Sequence, residues 1–358
     1  MSYRNTIITG TGSHIPPKAV KNESFINQDF YSEKKEKLSG SGEEIIRKFN
    51  EITGIHERRY LSDELNNSDI AFLAADKAIK SAGIDKESID QIIVAQNFGD
   101  VSHNSIQTDA VPSIASRVKH LLKIENPSCV AYDILFGCPG WIQAILQAHA
   151  YIQAGMGKRF LVIGAEALSR VSDPYDRDSM IYSDGAGATI VEAVEEDYKR
   201  GLLSFSMQSD TMEEVNYLFM GESNKADYKP GTKYIKMFGR KIYEYAISKV
   251  PAAMQLALNR ADIDLSEVKK ILIHQANEKM DEAMVKRLFR LYKRNDIPEN
   301  IMPLSIGLLG NSSVATIPTI YDRILKDECP LHQIEKNDIL LFASVGAGMN
   351  INSFVYKQ

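Results

Sequence analysis

Three side chains in this sequence have the chemistry and the surroundings to take part in a reaction. Cys138 lies in AYDILFGCPGWIQAILQAHAYIQAG, where a strand-like run over 132–136 gives way to a helix with apolar residues at Trp141, Ile142, Ile145, Leu146 and Ile152. Pro139 suits the first helical position, because its missing N–H would have no intrahelical partner there. A thiol at such a corner sits on the positive end of the helix dipole, so its pKa is expected to fall and the nucleophilic thiolate to be favoured. Without that context a buried structural cysteine is the default, and Cys129 and Cys329 keep that reading. His274 ends the strand-like run 270–273 in ILIHQAN, and a helical pattern (Asp281, Met284, Val285, Leu288) follows. Binding sites of α/β folds gather at the ends of buried strands, although a hydrogen-bonded core histidine has the same signature. Asn311, in LLGNSSVATIP, stands between Gly310 and a helix starting near Ser313; alone it reads as a helix N-cap.

The elements that must position these residues alternate between short β-branched runs and amphipathic helices. Ile92-Ile93-Val94, the run 160–163 and the run 339–342 predict buried strands, so the class is α/β. The N-terminus reads as a β-like run (Thr6, Ile7, Ile8) entering a Gly-rich turn, and 32–44, with KKEK before SGSGEE, reads as an exposed loop. AGIDKESIDQIIVAQ, from Ala82, aligns without a gap on ADIDLSEVKKILIHQ, from Ala261, at an offset of 179 residues. Ala82, Ile84, Asp85, Ile92 and Gln96 recur as Ala261, Ile263, Asp264, Ile271 and Gln275. Gly137-Cys138 and Gly310-Asn311, each opening a helical pattern, are a second echo. Two similar α/β halves are expected, 1–200 carrying the cysteine and 201–358 carrying the histidine and asparagine.

Composition excludes several classes. With 358 residues, 44% hydrophobic and 25% charged, the chain has an ordinary globular balance. A net charge of −5 argues against a nucleic-acid or anionic-membrane binder. Three scattered cysteines form no disulfide framework, and neither a signal peptide nor an apolar run of about 20 residues is present, so a soluble cytoplasmic protein is expected. His14, His56, His103, His120, His149 and His332 show no metal-ligand spacing, and neither GTG nor DGAGA is a dinucleotide or phosphate fingerprint, so no metal or cofactor is expected.

In order along the chain, GTGSHIP, TGIHERRY, FGCPGW, SDPYDR, SDGAGA, HQAN, GNSSVATIP and VGAGM resemble the landmarks of β-ketoacyl-acyl carrier protein synthase III enzymes. The resemblance spans nearly the whole chain and implies a thiolase-like fold, a duplicated five-layer αβαβα sandwich. It also implies an acyltransferase of fatty acid biosynthesis, cytoplasmic and homodimeric. Cys138 would take an acyl group from a thioester. His274 and Asn311 would stabilise the enolate formed as malonyl-acyl carrier protein loses carbon dioxide, with an oxyanion held by the backbone N–H groups of Cys138 and Ala347. The substrates would be acyl-CoA or acyl-carrier protein, with no resident cofactor. Arg170, in LSRVSDPYDR, matches a CoA-facing arginine, and Lys279, Lys286 and Arg287 match basic positions of a helix that docks the acidic acyl carrier protein.

Some positions depart from the pattern. A tryptophan and an arginine that often precede TGI and touch the CoA nucleotide are Lys48 and Ile52 here, so an adenine platform is missing. Two phenylalanines usual near the acyl pocket are Val111 and Val345, which implies a wider pocket. These departures raise a ketosynthase that joins a longer acyl chain to a β-ketoacyl partner, as in alkylresorcinol-type pathways. A non-decarboxylating acyltransferase is disfavoured by His274 and Asn311, and a non-catalytic acyl-binding partner subunit by Cys138.

Overall fold

The computed structural model describes residues 2–358. Up to residue 196 the chain forms β1 (Tyr3–His14), β2 (Lys18–Lys21), α1 (Gly42–Thr53), β3 (Glu57–Tyr60), α2 (Asn67–Ala82), β4 (Gln91–Gln96), α3 (Ile114–Leu121), β5 (Val130–Leu135), α4 (Gly140–Gln153), β6 (Arg159–Ala167) and β7 (Asp184–Glu196). Then follow β8 (Gly201–Ser209), β9 (Leu218–Gly221), β10 (Tyr234–Met237), α5 (Gly239–Ala261), β11 (Val268–Ile273), α6 (Glu278–Leu291), α7 (Ile306–Leu309), α8 (Thr316–Leu325), β12 (Ile339–Gly346) and β13 (Asn350–Lys357).

Nine strands share one hydrogen-bonded order, β11-β12-β13-β8-β1-β7-β6-β4-β5. β1 and β8 meet at a single pair, Thr6 with Gly201, so the order divides there into two sheets of one pattern. In the first, β1 and β7 are antiparallel, as are β7 and β6, and β6 is parallel to β4. In the second, β8, β13, β12 and β11 repeat those three relations in turn. The first sheet ends with β5 parallel to β4. Ile301 takes that place in the second, accepting from the Ile271 N–H at 2.9 Å without forming a strand.

The repeat read at an offset of 179 is carried by matching parts. α2 and α5 end at Ala82 and Ala261, followed by Gly83 and Asp262 in the left-handed region at φ 64° and 56°. Asp85 and Asp264 then each cap a short 3-10 turn, accepting from the N–H of Glu87 and of Ser266. A buried strand follows in both copies.

Helices α2 and α3 cover the outer face of the first sheet, α5 and α6 that of the second, and α4 and α8 lie between the sheets. This is the five-layer αβαβα sandwich. Buried between two sheets, α4 can be apolar all round. Its buried Trp141, Ile142, Ile145, Leu146 and Ile152, at roughly 1.5–3 kcal/mol for each large side chain, fix it more firmly than its end, where Pro139 supplies no side-chain cap. Pro139 is the N-cap, one place before the first helical position expected. Trp141 packs on Phe342 and Phe354, ring centroids 6.1 and 6.4 Å away.

The expected Gly-rich turn near the N-terminus is corrected: β1 runs straight through it to His14. α2 lies so close that a Cβ on Gly12 would come within 2.3 Å of the Ala74 carbonyl oxygen, so glycine marks a close approach of helix to strand there. In 32–44, residues 33–37 are exposed, and α1 begins at Gly42 with Ser41 accepting from the Glu44 N–H. No described helix is long and apolar enough to cross a membrane.

Candidate active site

Cys138, His274 and Asn311 come from three separated segments and line one cavity of about 700 Å³. Cys138 stands where β5 turns into α4. Gly137, at φ 73°, makes the turn, and a Cβ there would lie 2.8 Å from the Ala347 nitrogen, so no larger residue fits. The segment ending β12 packs equally closely, since a Cβ on Gly346 would come within 2.5 Å of the Cys138 nitrogen. The Cys138 and Ala347 amides therefore share one wall. His274 follows β11 and is held by its N–H to the Ala343 carbonyl at 3.0 Å. Asn311 is pinned from both sides: its N–H donates to the Ile181 carbonyl at 2.9 Å, and its carbonyl accepts from the Ser183 N–H at 2.8 Å.

The asparagine combines a cap with a free donor. Asn311 Oδ1 accepts from the Ser313 N–H at 2.8 Å, which fixes which end of the amide is oxygen and leaves Nδ2 without a protein partner among the described residues. Capping alone would spend only the oxygen. Ser313 is the residue that sequence reasoning missed: it bonds Asn311, its Oγ donates to Cys138 Sγ at 3.4 Å, and its backbone is the polar group that opposes the lowering of His274. Its φ of 52° is strained for a serine, and the conformation belongs to the site. Its presence in GNSSVATIP was the only sequence signal.

The acidity expected at Cys138 is reversed. Burial pushes the thiol up to about 11, the Ser313 hydroxyl lowers it in part and the Glu166 charge raises it. A helix dipole contributes about 0.3–1 kcal/mol, up to ~2 in partly buried sites. Burial can shift a group by up to about 3–5 units, or roughly 4–7 kcal/mol, and so outweighs it. The resting residue is a thiol at pH 7. Burial likewise takes His274 down to about 4, opposed only by the Ser313 backbone, so its ring is neutral at pH 7 and Nδ1 is buried without a partner. A neutral imidazole can donate one hydrogen bond without adding charge.

Leu168, Phe219, Ile235, Met237, Met280 and Met349 form apolar parts of the cavity wall, with Glu33, Arg177, Asp178, Arg240 and Asn277 as polar contributors. Val345 lines it too and is buried. Arg170 does not: its Nη2 donates to the carbonyls of Ser62 and Leu65 at 2.8 and 3.3 Å. Of the two arginines in LSRVSDPYDR, Arg177 reaches the cavity and Arg170 clamps a loop. Val111 is also corrected, since within one chain it is 87% exposed and off the cavity, on the loop between β4 and α3. At the position that lacks the expected arginine, Ile52 lines the cavity, while Lys48 pairs with Glu44 at 2.7 Å. Lys279, Lys286 and Arg287 are exposed on α6, and Lys286 pairs with Glu282 at 2.9 Å. The three cysteines are free.

The model of 3-oxoacyl-[acyl-carrier-protein] synthase III matches residues 132–211, and that of its C-terminal part matches 258–358. Among curated proteins the chain is 30% identical over 354 residues to the beta-ketoacyl-[acyl-carrier-protein] synthase III of Staphylococcus haemolyticus, covering 99% of each. It is 31% identical over 343 residues to synthase III 1 of Halalkalibacterium halodurans, covering 96% of this chain and 95% of the relative. Among solved structures, 3-oxoacyl-[acyl-carrier-protein] synthase III from Aquifex aeolicus superposes with a TM-score of 0.80 at 27% identity, covering 99% of this chain and 100% of the other. The Thermus thermophilus synthase III does so at 0.80 and 28%, covering 98% and 99%.

Proposed function

The chain belongs to the 3-oxoacyl-[acyl-carrier-protein] synthase III family, a group of condensing acyltransferases, and we propose that it works through Cys138, His274 and Asn311. It makes the first carbon–carbon bond of a fatty acid from an acyl thioester and malonyl-acyl carrier protein. The alkylresorcinol-type and non-catalytic readings are not favoured by relatives named for the synthase III reaction. The observation that carries the assignment is the convergence of the three side chains on one cavity, with Ser313 bonded to Asn311 and to Cys138.

Cys138 Sγ attacks the acyl thioester carbonyl. The carbon–sulfur bond to the carrier breaks, and the departing thiolate takes the proton that the cysteine loses. Malonyl-acyl carrier protein then occupies the same cavity. As its carboxylate leaves as carbon dioxide, the electron pair moves onto the thioester oxygen, where Asn311 Nδ2 and an N–H of neutral His274 donate hydrogen bonds. The enolate carbon attacks the acyl-cysteine, whose oxyanion lies against the Cys138 and Ala347 amides. Collapse of that adduct breaks the carbon–sulfur bond to Cys138 and releases it as a thiolate, which takes a proton from solvent water.

The same proposal covers the partners. Arg177 and Arg240 supply cations toward a CoA or carrier phosphate. Lys279, Lys286 and Arg287 offer a basic face to the acidic carrier protein. A homodimer fits the free edge of β5, where Val130 and Leu135 are 55% and 74% exposed and Leu135 also lines the cavity. Val111 lines an acyl pocket only if that pocket belongs to the second copy. A cytoplasmic location fits these substrates, and the division into halves 1–200 and 201–358 is supported by the sheet pattern on either side of Gly201.

Intact-mass measurement with a panel of acyl-CoAs and acyl carrier proteins, followed by peptide mapping, should place one acyl adduct on Cys138. An adduct on Cys129 or Cys329, or none with any donor, overturns the nucleophile assignment.

A further inference from the structure

Glu166 is a carboxyl inside the apolar strand β6, 1% exposed, without an ion pair among the described residues. Its Oε2 accepts from Asn97 Nδ2, and Oε1 has no partner. A charge there would have neither a counter-ion nor a full set of donors, which favours the neutral acid. Consistent with this, burial pushes the carboxyl up to about 8. Asn97 is bonded on its other sides as well. Its Oδ1 accepts the Gly137 N–H at 3.0 Å, and its Nδ2 reaches Ser313 Oγ at 3.4 Å. Ser313 Oγ in turn donates to Cys138 Sγ.

We propose that Glu166 and Asn97 are positioning residues for the nucleophile: the Glu166 carboxyl holds Asn97, and Asn97 holds both the Gly137–Cys138 corner and the Ser313 hydroxyl that donates to the sulfur. The inference rests on Cys138 being the nucleophile. No other side-chain hydrogen bond reaches the sulfur among the described residues, so the aim of the Ser313 hydroxyl matters for a thiol that burial makes weakly acidic. The relay has an electrostatic side. Neutral Glu166 leaves the sulfur undisturbed, whereas its carboxylate opposes a nearby thiolate. The other titratable groups around the pair are Asp184 at the start of β7, which raises Glu166 and is itself raised by burial against the hydrogen bonds from Ser169 and Leu61 and the Arg170 charge, then Tyr182 and His274. Tyr182 and His274 are both neutral at pH 7.

The test follows alkylation of Cys138 by iodoacetamide in the full-length enzyme from neutral to alkaline pH, with peptide mapping to identify the modified residue. Glu166→Gln keeps the volume and the acceptor but removes the charge, so its alkylation profile should move to lower pH. Asn97→Ala frees the corner and the hydroxyl, and alkylation should slow by about tenfold, the weight of one hydrogen bond to a charged group. Glu166→Gln with the wild-type profile overturns the proposal, because a merely structural carboxyl would leave the thiol's titration in place. A folded Asn97→Ala alkylating at the wild-type rate overturns it too, and should that variant fail to fold, Glu166→Gln decides alone. Wild-type alkylation falling on Cys129 or Cys329 instead would count against the nucleophile assignment, which separates the two failures.

Discussion

In the first half β4 ends in Ala95-Gln96, and in the second β11 is followed by His274-Gln275, at the same offset of 179. The two glutamines have one task. Gln96 Oε1 accepts from the Gly99 N–H at 2.5 Å; Gln275 Oε1 accepts from the N–H of Ser305 and Ile306 at 2.9 and 3.0 Å. Each buried amide pins a loop beyond the strand. The preceding residue is where the copies part. Ala95 is fully buried under the first turn of α4, where a Cβ on Gly140 would lie 2.9 Å from its own Cβ, so the helix that presents Cys138 leaves no room for a larger side chain. His274 instead borders the cavity. The entry to α8 is unwound into a 3-10 turn at Ser313–Ala315, which gives Asn311 and Ser313 their places. One unit used twice thus keeps its capping and pinning residues while the residues that present the chemistry differ at the strand and helix ends, the first copy delivering a thiol and the second two neutral hydrogen-bond donors.

The largest expected effect tests that division of labour. Cys138→Ala should lose acylation completely yet still decarboxylate malonyl-acyl carrier protein. Asn311→Ala should acylate normally and lose decarboxylation and condensation by a hundred- to a thousand-fold, the usual cost of about 2.7–4 kcal/mol for one donor to a developing oxyanion. Intact mass reads the first half-reaction and carbon dioxide release the second; equal loss of both in both variants would erase the functional difference between the copies.

A smaller effect tests the packing at Ala95. Ala95→Leu should lower stability by about 1–3 kcal/mol, as overpacking of a filled core does, seen as a lower denaturant midpoint with an unchanged slope. A midpoint at the wild-type value would mean that packing against α4 does not forbid a large residue there.

The smallest effect concerns the helices after the two strands. On α3, Arg117 is tied to Asp100 and Asp109 at 2.8 and 2.7 Å, while on α6 Lys279, Arg287 and Arg290 have no ion pair among the described residues. Reversing Lys286 and Arg287 to Glu should raise the KM for carrier protein by up to roughly fivefold per charge at low salt, since exposed pairs are worth about 0.2–1 kcal/mol. The effect should fade as salt rises, and self-acylation by a small thioester should be unchanged. An unaltered KM at low salt would place docking elsewhere.

Local chemistry alone made much of this protein legible. β-Branched runs, the capping aspartates Asp85 and Asp264 and the recurrence of Gln96 as Gln275 predict paired α/β units, because backbone propensity, caps and strand burial depend on residues near in sequence. Cys138, His274 and Asn311 were legible for the same reason, each standing at an element end that its neighbours define. Glu166 also left a trace, as an acid inside an apolar strand run. Quantities summed over residues distant in sequence were decided only by the folded chain. The thiol's acidity depends on burial, to which segments around 168, 219, 274 and 346 contribute, and that burial outweighs the helix dipole that the local sequence displays. Arg170 and Arg177 are both plausible phosphate contacts in one dimension, but the carbonyls that occupy Arg170 come from the loop at 62–65. The strained Ser313 donates to a sulfur 175 positions away, and no local pattern encodes a bond whose partner is chosen by packing.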